Sequence, residues 1–197
     1  MEPIRKTIER IGRSVQSSEE WIELIRDLRE SVTFLGVPFD FRMRWAEKGD
    51  LKTINALEGY VKEVKILESS MENGDTCLVF EKDDIIEAFA WVTFRNYPLN
   101  IWHTLRLPTG HAYLVYIYVR PEYRNQKVGT CLLGCLIKAL HERGYTNLIS
   151  GMYNNWEISL RLHYKQGFKI LRKYTERKIL KFISFPPKKQ NFEAVCF

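Results

Sequence analysis

The 197 residues carry 45% hydrophobic and 27% charged positions and a formal charge of +6, the size and balance of one large globular domain with a single core. Four cysteines, Cys77, Cys131, Cys135 and Cys196, lack the spacing of a disulfide framework or a zinc site, so no metal is expected and a reduced, cytoplasmic setting follows. The longest apolar run, residues 112–119, is far too short to cross a membrane; residues 1–16 lack the apolar centre of an export signal, and Cys196 is misplaced for prenylation.

In chain order, Ile4, Ile8 and Ile11, then Trp21, Ile22, Leu24, Ile25 and Leu28, predict a helical N-terminal extension over residues 1–36, with Ser17 and Ser18 capping the second of two short helices. Packing on the core is favoured for it over dimerisation or covering an acceptor. Residues 76–80 and 85–94 predict two strands joined by a turn at Glu81, Lys82, Asp83 and Asp84. Residues 95–111 form a long loop holding Tyr97, Trp102, His103 and Arg106, and with Trp45 and Trp156 they are candidates for an aromatic acceptor pocket or lid. Residues 112–119 are β-branched and aromatic throughout, as in a buried strand, and Cys131, Leu132, Leu133, Leu136, Ile137 and Leu140 repeat at helical spacing. Cys131 and Cys135 share a face of that helix as small core residues. Residues 148–152 predict a further strand, and Gly167 a helix C-cap.

Between the buried strand and its helix lies Arg120-Pro121-Glu122-Tyr123-Arg124-Asn125-Gln126-Lys127-Val128-Gly129-Thr130. Free amides at a helix N-terminus, with Arg124 and Lys127 beside them, suit a pyrophosphate. This strand, turn and helix resemble the phosphate loop of the GNAT acyltransferases, matching in Arg124, Gly129 and the Pro121-Glu122-Tyr123 lead-in, with Lys127 where the family has glycine. There the ammonium is expected to replace close backbone approach with a point charge. Other segments fall in family order. Residues 43–51 resemble the first strand, with Asp50 placed to cap the next helix, and the run from Ser159 through His163, Tyr164, Lys165, Gly167 and Phe168 resembles the closing helix-to-strand motif. The motif's usual asparagine is displaced, Trp156 holding its register just after Asn154 and Asn155. The resemblance covers roughly residues 40–185 and implies an α/β GNAT fold, a mixed sheet flanked by helices over residues 37–186, with residues 187–197 as a tail.

The resemblance further implies direct acyl transfer from acetyl-coenzyme A to the amine of a small molecule or peptide. The co-substrate would be held by Ile117, Tyr118 and Val119 on the splayed fourth strand, by Arg124, Asn125, Gln126, Lys127, Val128, Gly129 and Thr130, and by Asn155. Backbone amides on that strand would polarise the thioester carbonyl. His163 stands where many members have a tyrosine proton donor, with Tyr164 as runner-up. The fourth strand has no carboxylate, so Glu87, which interrupts an apolar run, is the base candidate beside His111 and a water chain.

The excess positive charge is accounted for by one C-terminal segment, in which Lys169, Arg172, Lys173, Arg177, Lys178, Lys181, Lys188 and Lys189 are opposed only by Glu176. In the family register residues 169–174 and 178–185 are the last two strands, with apolar residues inward and lysines in solvent. The segment has no recognised nucleic-acid motif, so an acidic carrier or acceptor is the better partner. Two alternatives stand beside the acetyltransferase: a longer-chain acyltransferase fed by acyl-coenzyme A or an acyl carrier protein, and a non-catalytic binding module. A homodimer is left open.

Overall fold

The computed structural model describes residues 16–32, 37, 40–57, 63–100, 103–179, 183–184 and 188–191. Their centre is a nine-stranded mixed sheet. Its strands are β1 (Gln16–Asp27), β2 (Arg42–Trp45), β3 (Thr76–Lys82), β4 (Ile85–Thr93), β7 (His111–Val119), β8 (Asn147–Tyr153), β9 (Lys169–Ile179), β10 (Ile183–Ser184) and β11 (Lys188–Asn191). Their order is β10-β9-β1-β8-β7-β4-β3-β2, with β11 also paired to β9, and only β7 and β8 run parallel. Strands β5 (Tyr97–Asn100) and β6 (His103–Leu105) make a separate hairpin. The mixed sheet flanked by helices is the fold that the sequence implied.

Helices α3 (Val128–Glu142) and α4 (Glu157–Lys165) cover one face, where Leu132, Leu136 and Leu160 pack against Ile22, Leu114 and Leu148. Alternate residues of the same strands face the other way. There, α1 (Leu51–Ala56) and α2 (Val64–Glu72) pack Leu51, Ile54 and Leu67 on Val79, Phe89 and Trp91, while the β5–β6 hairpin packs Leu105 on Tyr113 and Ile149. Burial on both faces is why β4 and β7 read as continuous apolar runs. Between β3 and β4 the turn narrows to Asp83 and Asp84, both at positive φ, as a two-residue hairpin turn requires.

The structure corrects four expectations. Residues 16–27 are not a helix but the strand between β8 and β9, so the sheet takes in residues assigned to the extension. A strand covered on both sides places Trp21, Glu23 and Ile25 on one face and Ile22 and Leu24 on the other, and the resulting apolar run mimics helical spacing. The helix expected around Ile4, Ile8 and Ile11 lies outside the described residues. Asp50 makes no side-chain cap to α1; it accepts from the Glu47 amide and from Arg44, which is shared with buried Glu81. The long loop after β4 carries the β5–β6 hairpin. The two strands expected at the C-terminal end are one long β9 with β10 and β11 folded back on it, so residues 188–191 of the expected tail are in the sheet.

Candidate active site

β7 ends in a 3-10 turn, Pro121–Tyr123, and the chain then passes to α3 through residues that include two left-handed ones, Asn125 at φ 61 and Lys127 at φ 64. Asparagine tolerates this conformation; lysine takes it at a cost of roughly 1–2 kcal/mol, which glycine would avoid. The lysine is therefore the residue immediately before α3, and its backbone turn, more than room at the side chain, accounts for glycine's suitability there. The amides of Val128, Gly129 and Thr130 open the helix without a side-chain cap. Arg124 donates from Nε to the Val119 carbonyl at 2.9 Å and lies 5.7 Å over the Tyr118 ring, so its guanidinium is held at the strand end while the side chain stays exposed. Gln126 donates to the Glu122 carbonyl and braces the turn. A Cβ on Gly129 would make only ordinary contacts, 3.5 Å to Val119 and 3.7 Å to Leu162. Nothing among the described residues requires glycine there, while a diphosphate approaching the first helical turn would. These residues fit the pyrophosphate of a coenzyme A thioester.

The parallel ladder between β7 and β8 stops at Leu114 and Ser150. Opposite β4, Trp91 pairs with Tyr116 but Val92 with Leu114, so Val115 is the extra residue of a bulge. The bulge turns β7 away from β8, and Ile117, Tyr118 and Val119 lie beyond the point of separation. Tyr118 is buried against Phe89, whereas Ile117 and Val119 are half-buried toward the α3 face. Backbone amides on the released edge can face a ligand carbonyl. Asn155 is exposed in the turn between β8 and α4.

On α4 the two donor candidates part. His163 is 1% exposed, edge-on to Phe168, and its Nδ1 lies 2.8 Å from the Ser159 carbonyl. A carbonyl only accepts, so Nδ1 carries the hydrogen, and the buried Nε2 keeps a lone pair with no hydrogen-bond partner among the described residues. Burial lowers the imidazole to about 4 despite that bond, leaving it neutral at pH 7 with nothing to donate from Nε2. Tyr164 points outward and is 45% exposed. Glu87 is itself the bulged residue of β4, since Phe80 pairs with Ala88 and Glu81 with Ile86. Its carboxylate lies 2.9 Å from Arg120 Nε, and its carbonyl accepts the Arg120 amide. Because Ala88 pairs with Val119, this pair sits at the phosphate-turn end of β7, several residues from the bulge at Val115. Glu87 thus anchors the strand's exit beside Val119, with its carboxylate against Arg120.

Sequence reasoning missed a second polar group, on the β5–β6 face. Glu23 of β1 is 0% exposed; Arg172 Nε is 3.1 Å from one carboxylate oxygen and His103 Nε2 3.5 Å from the other. The His103 ring packs on Tyr174, centroids 4.9 Å apart, and burial and the Glu23 charge raise the Tyr174 phenol. Glu23 is opposite Gly151 of β8, the first residue after the parallel ladder ends. An acid inside the run Trp21-Ile22-Glu23-Leu24-Ile25 was the available signal, the same one that drew attention to Glu87.

Among the described residues no group of three or more acidic, histidine or cysteine side chains could hold a metal ion. None of their helices is long and apolar enough to cross a membrane. The Acetyltransferase (GNAT) family model matches residues 42–168. No curated protein sequence matches the chain. A GCN5-related N-acetyltransferase from Sphaerobacter thermophilus shares the fold at a TM-score of 0.64 and 12% identity, over 88% of this chain and 56% of that one. The ribosomal-protein-S18-alanine N-acetyltransferase from Escherichia coli aligns at 0.54 and 18%, over 80% and 99%. AAC(6')-Iy in complex with the bisubstrate analog CoA-S-monomethyl-acetylneamine aligns at 0.52 and 18%, over 66% and 90%. The chain spans little more than half the length of the Sphaerobacter protein. With a family model covering most of its length, the chain belongs to the GNAT acetyltransferase family.

Proposed function

We propose that the protein transfers an acetyl group from acetyl-coenzyme A to a primary amine on a small molecule or peptide. The observation that carries this reading is the bulge at Val115: past it, β7 offers amides to a thioester carbonyl and then leads directly into a turn lined by Arg124 and Lys127. The diphosphate would lie on the amides of residues 128–130, with Arg124 pre-oriented by Val119 and Tyr118. The bisubstrate complex in a structural neighbour is consistent with such a ligand.

The unprotonated amine nitrogen attacks the thioester carbonyl, the oxygen gains charge opposite the β7 amides, and the carbon–sulfur bond then breaks. Of the two protons that an ammonium must lose to become an amide, one ends on the departing sulfur and one leaves to solvent. His163, neutral and already donating to Ser159, is not the source of the first; it packs α4 on Phe168, the residue just before β9.

Calorimetric titration with acetyl-coenzyme A and with longer acyl-coenzyme A thioesters tests this. Acetyl-coenzyme A binding that weakens roughly tenfold or more in Arg124→Ala is expected from loss of a charged contact. A preference for long chains would replace acetyl transfer with longer-chain transfer, and absence of binding to every thioester would overturn the reading.

A further inference from the structure

We infer that His103, held by buried Glu23, is the base that takes the proton of the acceptor amine; this rests on the acetyl-transfer reading above. Three polar side chains converge on the buried Glu23 carboxylate: Arg172, His103 and the hydroxyl of Tyr174. A carboxylate removed from water needs compensation, and here it has Arg172 and His103 at ion-pair distance but in poor hydrogen-bond alignment. The carboxylate thus lies against the imidazole of His103, whose other ring nitrogen is left for a proton.

Position supports the assignment. Glu23 faces Gly151, the residue of β8 at which the ladder with β7 has ended, so it stands one strand, about 5 Å, from the point of separation. Gly151 presents no side chain, and Trp21 lies over it. Glu23 and the hairpin that supplies His103 are on the face away from α3 and α4, so coenzyme A held along those helices would present its acyl group through the separated strands toward them.

The two residues divide the task. Glu23 is fully buried and cannot exchange protons with solvent unaided, whereas His103 is 27% exposed with Nε2 turned inward to the carboxylate. A hydrogen on Nε2 faces the negative charge, which leaves the lone pair on Nδ1 as the accepting atom. His103 Nδ1 takes one proton from the ammonium or from the tetrahedral adduct's nitrogen, Glu23 stabilises the imidazolium, and His103 returns that proton to water. The second nitrogen proton goes to sulfur, so the amine becomes an amide and the thioester a thiol. The acceptor class is a cationic primary amine with an apolar or aromatic body, because Tyr113, Tyr174 and Tyr97 line the same face.

Bromoacetyl-coenzyme A tests this without a known acceptor, since its electrophilic carbon sits where the acetyl group would. The expected product is His103 alkylated with loss of bromide, mapped by peptide mass spectrometry and suppressed by excess acetyl-coenzyme A. In Glu23→Gln the pH midpoint of alkylation should fall and the labelling rate should change with it, while Arg124→Ala slows labelling only through binding. His103→Gln, at a part-exposed position, should keep the fold and lose the label. Calorimetry with coenzyme A runs alongside. If coenzyme A binds and His103 stays unlabelled, or a Glu23→Gln protein that melts like the wild type shows an unchanged pH midpoint, the dyad is overturned. If coenzyme A does not bind, the acetyl-transfer reading itself fails, and the dyad with it.

Discussion

The Trp21 indole lies so closely over Gly151 that a Cβ on the glycine would stand 2.5 Å from Cζ2 and 2.9 Å from Cε2. The ring is also edge-on to Tyr153 at 5.1 Å between centroids. One glycine thus lets an N-terminal aromatic ring cover the place where β7 and β8 part.

Gly151→Ala is therefore expected to destabilise the fold by about 1–3 kcal/mol, the usual cost of forcing extra volume into a packed site. Chemical denaturation of the variant against wild type measures it. Trp21→Leu in the alanine background should recover part of the loss, and an unperturbed Gly151→Ala midpoint would show that the indole does not pack as described.

Lys127→Gly separates backbone strain from charge. The left-handed φ of 64 costs lysine roughly 1–2 kcal/mol, so glycine there should raise stability by about 1 kcal/mol after its larger unfolded-state entropy is counted. Coenzyme A affinity should fall, most visibly at low ionic strength, because the variant loses a charge beside the anion site. Tighter binding by the glycine variant would show that the ammonium hinders the diphosphate.

Gly129→Ala should leave the melting temperature within a degree or two, since the added methyl meets Val119 and Leu162 at ordinary distances. It should weaken coenzyme A binding at least tenfold by standing where the diphosphate approaches the helix. Equal affinity in both proteins would move the phosphate site away from the first turn of α3.

His163 gives a pH signature. Burial lowers it from 6.5 to about 4 in the folded chain, so between these values the unfolded chain holds a proton that the folded one does not. Its neutral form contributes fully above pH 6.5, and that contribution is lost as pH falls through this window, up to about 3 kcal/mol. Urea unfolding of His163→Gln should be correspondingly flatter than wild type from pH 6.5 to 4. Parallel curves would mean that the ring is solvated.

Much of this was legible in the sequence because local chemistry dictated it. The run from Tyr113 to Val119, the helical repeat of Leu132, Leu136 and Leu140, and Pro121 leading into Arg124 each report their own conformation, and β7, the turn and α3 lie where they imply. Residues 16–27 were misread because Trp21, Ile22, Leu24 and Ile25 fit a two-sided strand and a one-sided helix equally, and the deciding partners, Tyr153 and Tyr174, are more than a hundred residues away. For the same reason Glu23 could not be connected with His103. His163 was placed by register, but its protonation depends on the Ser159 carbonyl and on Phe168, which register does not report.

β1 joins the two halves of the sheet. Among the described strands, β9, with β10 and β11 on it, meets the remainder of the sheet only through β1, whose other edge is β8. A segment made first must wait for β8 and β9, so its contacts are the most distant in sequence and the slowest to close. Until then β8 has an open edge, ready to accept a strand from another chain. Removing residues before 28 would make that exposure permanent, and what remained would be prone to edge-to-edge association even though the matched segment, residues 42–168, was intact.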